Sequence, residues 1–146
     1  MTEVGFYHLT RSDITAALPP LLGRSLQANA RALVVCPDAD SLKALDKVLW
    51  LSQKPDWLPH GTPTSAHPQW QPILLTLEDH NPEGANFLFR IGGAAAGIAA
   101  YERVFDLFNG NSEAEVAAAR TRWREAKAAG HSLTYWQQGE TGWEKI

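Results

Sequence analysis

Residues 32–50, ALVVCPDADSLKALDKVLW, decide the fold. The run ALVVC at 32–36 is short and wholly apolar, with Val34 and Val35 adjacent. That pattern predicts a strand buried on both faces. Asp38 or Asp40 then offers a side-chain oxygen to cap a helix. Leu42, Leu45, Val48 and Leu49 recur at 3, 3, 1 spacing and share one helical face, so the helix runs to about Trp50. A buried strand leading directly into an amphipathic helix is the unit from which α/β domains are built.

The neighbouring segments repeat the unit. Upstream, EVGFYHL at 3–9 predicts a first buried strand. Asp13 predicts an N-cap for a helix running to about Asn29. Pro19 and Pro20 fall inside that span, where proline removes a donor and crowds the preceding turn. This allows a start near Leu18 or a kink. With a helix between them, the strands at 3–9 and 32–36 are expected to be parallel.

Downstream, residues 52–72 hold five prolines and one glycine and read as a long loop. Residues 73–77 (ILLTL), 86–91 (NFLFRI) and 103–108 (RVFDLF) predict three more strands, and the small-residue stretch 92–100 reads as a turn or a short helix. Ser112 and Glu115 match the S-x-x-E capping box, where each side chain takes an orphan N–H at the start of a helix. Gly130 suits the position just past its end. Residues 131–137 predict a last strand, and the tail from Gly139 to Ile146 carries no clear signal. The result is one α/β domain over residues 1–146, with a mostly parallel sheet and helices covering it.

Composition narrows the function classes. The chain has 146 residues, of which 45% are hydrophobic, enough for a sizeable core. The net charge of −3 lacks the basic excess of a domain that grips nucleic acid directly. Residues 1–9 lack the basic start and apolar run of a secretory signal, and no stretch reaches the ~20 apolar residues of a membrane helix. The expected location is the cytoplasm.

Catalytic signatures are weak. The turn after the first strand, His8-Leu9-Thr10-Arg11-Ser12, has no glycine, so the dinucleotide fingerprint is absent. The cluster Gly92-Gly93…Gly97 lacks the Lys-Ser/Thr of a phosphate loop and reads as a tight, closely packed turn. His60 and His67 share the proline-rich loop with no cysteine or helical partner at metal-ligand spacing. Cys36 sits where α/β folds place active sites, but a lone apolar-flanked cysteine reads first as a small buried hydrophobe. No metal or cofactor is expected. The remaining enzyme reading is a nucleotide-binding protein with a degenerate site.

Binding features are stronger. On the last helix, Val116, Arg120, Trp123, Arg124 and Lys127 fall within about 100° of arc. That places three cations beside an aromatic, with Arg122 and Glu125 opposite. Val116, Ala119, Trp123 and Ala126 serve equally well as a core stripe with the cations as its rim, and periodicity leaves both readings open. Trp50, Trp57 and Trp70 cluster in or beside the proline-rich loop; each taken singly reads first as a lid on an edge of the core, and the group as a candidate anchor set for an interface, where tryptophan is enriched.

Several segments resemble, in order, the chi subunit family of DNA polymerase III. Phe6-Tyr7-His8-Leu9 resembles its F-Y-x-L opening. Asp46-Lys47-Val48-Leu49-Trp50 is similar to its D-x-x-L-W, and Trp57-Leu58-Pro59-His60 to its F-[LV]-P-H. Val104-Phe105-Asp106-Leu107-Phe108 matches as well. So does the helix from Ala119-Arg120 through Arg122-Trp123-Arg124 and Ala126-Lys127 to Ala129-Gly130, with the Leu-Thr strand after it. The resemblance implies a Rossmann-like three-layer fold without a nucleotide site or catalysis. It implies that the acidic, phenylalanine-ended tail of single-stranded DNA-binding protein docks on the last helix at Arg120, Trp123 and Arg124. DNA would then be reached only indirectly. Val116 stands where the family carries a further basic residue, and Lys127 is the candidate to compensate. It also implies a second surface at Trp50 and Trp57 for the psi subunit, or for another clamp-loader or helicase-like partner.

Overall fold

The structure, a computed structural model, describes residues 2–11, 14–51, 60–62, 72–77, 85–92, 98, 101–139 and 142–145. The elements run β1 (Glu3–Leu9), α1 (Ile14–Gln27), β2 (Ala32–Val35), α2 (Ala39–Trp50), β3 (His60–Gly61), β4 (Ile73–Thr76), β5 (Phe87–Ile91), β6 (Arg103–Asn109), α3 (Glu113–Ala128), β7 (Ser132–Gly139) and β8 (Gly142–Lys145). One sheet holds all the strands in the order β3-β4-β2-β5-β6-β1-β7-β8. Every neighbouring pair is parallel except β7 with β8. The fold is Rossmann-like α/β, as the sequence predicts. β1 and β2 share a direction but are not neighbours, because β5 and β6 lie between them.

Strand alternation divides the core into two layers. Tyr7, Val34, Phe89, Phe105 and Leu107 face one side, where Leu18, Leu21 and Leu22 of α1 and Leu45 and Leu49 of α2 cover them. Val4, Phe6, Leu33, Val35, Leu88, Val104 and Phe108 face the other side, where Ala119 of α3 packs. Phe6, Phe89 and Phe108 are fully buried, each contributing about 1.5–3 kcal/mol of transfer free energy.

The structure decides between the boundaries the sequence allows. α1 starts at Ile14, directly after Asp13 and not near Leu18, and carries Pro19 and Pro20 inside it. Burial of Leu18, Pro19, Leu21 and Leu22 holds the helix where local propensity opposes it. Asp38, not Asp40, caps α2 by accepting the Ser41 N–H at 2.8 Å. Ser112 caps α3 by accepting from Glu115 N, but Glu115 does not return the bond to Ser112. Its Oε1 accepts from Asn109 N instead, tying α3 to the end of β6. At the other end, His131 N donates to Ala126 O and Gly130 N to Lys127 O, with Gly130 at φ 84°. This is the Schellman pattern that Gly130 predicts.

Two strands go beyond the sequence reading. β3 lies inside the supposed loop and pairs with β4. β8 turns back on β7 and brings Trp143 edge-on to Tyr7, with ring centroids 5.0 Å apart. The expectations for Asp13, Trp57, Trp70, His67 and Gly93 to Gly97 lie outside the described residues.

Candidate functional site

α3 is polar on most of its circumference and buries only Ala119 and Ala126. Small residues there let the helix lie close to the sheet. Val116 and Trp123 are half-buried against the same layer. The Trp123 ring stands edge-on to Phe6 at 5.2 Å and to Tyr135 of β7 at 6.0 Å. Trp123 therefore serves both readings of the stripe. One edge of it belongs to the core, and the rest walls a surface pocket.

That pocket, about 290 Å³, is lined by Phe108, Val116, Ala119, Arg120, Trp123, Arg124 and Tyr135. Its interior is apolar and aromatic, and Arg120 and Arg124 rise exposed at its rim. Four of the five residues expected on this face thus come together. Lys127 stays exposed and does not line the pocket. Burial pushes the Tyr135 hydroxyl above the usual tyrosine range, and the Arg120 charge pulls it back. The hydroxyl is hydrogen-bonded to Nδ1 of His8. Phe108, Tyr135 and His8 come from strands far apart in the chain, so helical periodicity alone does not point to them.

The other side of α3 is anchored by charge. Arg122 donates through Nε and Nη2 to both oxygens of Asp106, at 2.7 and 2.8 Å. Arg90 of β5 donates to Asp106 through Nε at 2.9 Å. Asp106 is 0% exposed and Arg90 4%. Burial lowers the Arg90 guanidinium's affinity for its proton, and Asp106 opposes that. The sequence signal for this network is a charged residue inside each of two apolar strands, Arg90 in NFLFRI and Asp106 in RVFDLF.

A larger cleft of about 730 Å³ lies at the C-terminal ends of β1, β5 and β6, where open α/β sheets bind ligands. Asp38 and Glu115 line it together with Arg11. The Asp38 carboxylate already occupies the start of α2, and its bonds to Ser41 hold it below the usual carboxylate range. A phosphate at that helix start would meet a negative charge. Nearby Cys36 is buried, and burial, helped by the Asp38 charge, pushes its thiol up to about 12. It stays protonated at neutral pH. Among the described residues no three His, Cys, Asp or Glu side chains gather to hold a metal. No described helix is long and apolar enough to cross a membrane.

At the end of α2, Trp50 and Leu51 are each 67% exposed. Nε2 of buried His60 meets Asp46 at 2.9 Å, and the His60 ring lies 4.8 Å from Trp50. Asp46 and Trp50 are one helical turn apart, so His60 grips α2 at both. Trp57, expected on the same surface, lies outside the described residues.

Comparison with known proteins accords with the geometry. A family model described as DNA polymerase III chi subunit, HolC, matches residues 1–134. A curated protein of Rickettsia prowazekii (strain Madrid E), described as "Probable DNA polymerase III subunit chi", is 27% identical over 88 residues. That match takes in 60% of this chain and 53% of the relative, so the chain spans about half the length of the curated relative it matches.

Proposed function

The chain belongs to the DNA polymerase III chi subunit family, and on that premise we propose that it is a non-catalytic adaptor of the replisome in the cytoplasm. In this reading the α3 pocket receives the acidic, phenylalanine-ended tail of single-stranded DNA-binding protein. The surface around Trp50 takes psi or another clamp-loader or helicase partner.

One observation carries the tail assignment: an apolar pocket rimmed by two exposed guanidinium groups, Arg120 and Arg124. A terminal phenylalanine supplies an aromatic ring to fill the pocket and a carboxylate for the fork of an arginine. Acidic residues before it meet the remaining positive charge. Charge-assisted bonds of about 1.5–3 kcal/mol each, less the costs of desolvation and ordering, suit a micromolar site. Exposed pairs of this kind are screened, so affinity falls with salt.

The test is fluorescence anisotropy of a labelled tail peptide against wild type and Arg120→Ala. Micromolar binding, weakened about ten- to hundredfold in the variant, is expected. A folded wild type that ignores the peptide would refute the assignment. Trp50→Ala is expected to keep tail binding while losing the second partner.

The cleft at the strand ends is the observation that favours a nucleotide-binding enzyme. Asp38 at the start of α2 opposes that reading, and a thermal-shift titration with nucleotides discriminates. No shift is expected.

A further inference from the structure

The apolar pocket does not end at Val116. A second concavity of about 390 Å³ lies beside it, lined by His8, Gly110, Asn111, Glu113, Val116, Ala117 and Arg120. Val116 and Arg120 belong to both, so the two form one groove along α3 from Glu113 to Arg124. His8 is the residue that β1 contributes to it. Its ring is tilted against Phe108 at 5.1 Å and stands edge-on to Tyr135 at 5.9 Å.

The ring has no freedom to turn away. Its Nδ1 is bonded to the Tyr135 hydroxyl. Its Nε2–Cδ2 edge lies over Gly110, where any Cβ would collide with it. Tyr135 keeps its proton well past neutral pH, because burial raises its pKa. The hydroxyl can therefore donate to Nδ1, which leaves the single imidazole proton on Nε2, the nitrogen on the Gly110 side. With a second proton on Nδ1 the bond reverses: Nδ1–H donates to the tyrosine oxygen, and the tyrosine's own proton turns away.

We propose that His8 is a binding residue of this groove, supplying its Nε2–H and, once protonated, a third positive charge to an acidic peptide that reaches past Val116. The inference rests on the tail-binding reading and extends it. The groups facing His8 are Tyr135 and Gln137 on β7, Phe108 on β6, and Glu113 and Arg120 on α3. Glu113 and Arg120 carry opposite charges there, so the balance within the groove is set by the ligand. A bound carboxylate favours the imidazolium, and linkage then makes affinity rise as pH falls. Helical periodicity cannot nominate His8, which lies on the first strand, more than a hundred residues from Arg120 in the chain.

The experiment is the tail-peptide titration repeated at pH 7.8 and pH 5.8 and at fixed ionic strength, with wild type, His8→Gln and Arg120→Ala. Wild type is expected to bind about two- to fivefold more tightly at the lower pH, the scale of one exposed ion pair. His8→Gln is expected to lose that increment. The NMR signals of the His8 ring, followed with and without saturating peptide, provide a readout that needs no variant. The peptide should move them. An increment that survives in His8→Gln, or His8 ring signals the peptide does not move, overturns the proposal. If the peptide binds wild type at neither pH, the tail assignment itself has failed. If Arg120→Ala abolishes binding but wild type shows no pH increment, only the role of His8 has failed.

Discussion

Arg122 and Arg124 stand two residues apart on α3 and do opposite work. Arg122 points at the sheet and gives two N–H donors, from Nε and Nη2, to a carboxylate that is wholly buried. Arg124 points to solvent, and among the described residues its hydrogen-bond partner is the Thr121 hydroxyl at 3.4 Å. The inner arginine holds the helix at a fixed rotation. The outer one, with Arg120, is left with its charge available. Cations spaced for a binding face are useful only if something sets which face looks outward, and here Asp106 does so.

The largest effect should come from breaking the inner side. Asp106→Asn leaves two largely buried guanidinium groups sharing a neutral amide, so we expect a loss of about 3–5 kcal/mol in chemical denaturation. Tail binding should fall with it as α3 loses its anchor. Trp123→Ala cuts into both sides at once. We expect about 2–4 kcal/mol of lost stability, below the full-burial range because the ring is half-buried, together with loss of peptide binding. Arg124→Ala should separate the sides cleanly, weakening the peptide severalfold or more while leaving the unfolding midpoint within about 0.5 kcal/mol of wild type. The smallest effect on binding belongs to Ser112→Ala. Losing the cap should cost about 1 kcal/mol and leave peptide affinity near wild type, because the clamp at Arg122, not the cap, sets the rotation.

The architecture was legible wherever a local signal agreed with burial. ALVVC is buried as predicted, Gly130 closes α3, and the stripe of the last helix falls where its period puts it. What escaped was non-local. β3 is two residues long inside a proline-rich stretch and exists only because β4 offers an edge. β8 has no local signature and is held by pairing with β7 and by Trp143 against Tyr7. α1 crosses two prolines because the packed layer outweighs the lost donors. In the site, Arg120, Trp123, Arg124 and Val116 were legible from spacing. Phe108, Tyr135 and His8 were not, because strand order brings them together. Lys127 shows the limit of spacing, since it shares the arc yet lies past the pocket's edge.

The account stands most directly on where the peptide lands. Backbone amide shifts in a ¹H–¹⁵N spectrum, followed while unlabelled tail peptide is added, report that without any variant. The predicted result is one cluster of shifts, from Val116 to Arg124 on α3 and at Phe108 and Tyr135 beneath it. Shifts centred on Trp50 and His60, or none at saturating peptide, would contradict it.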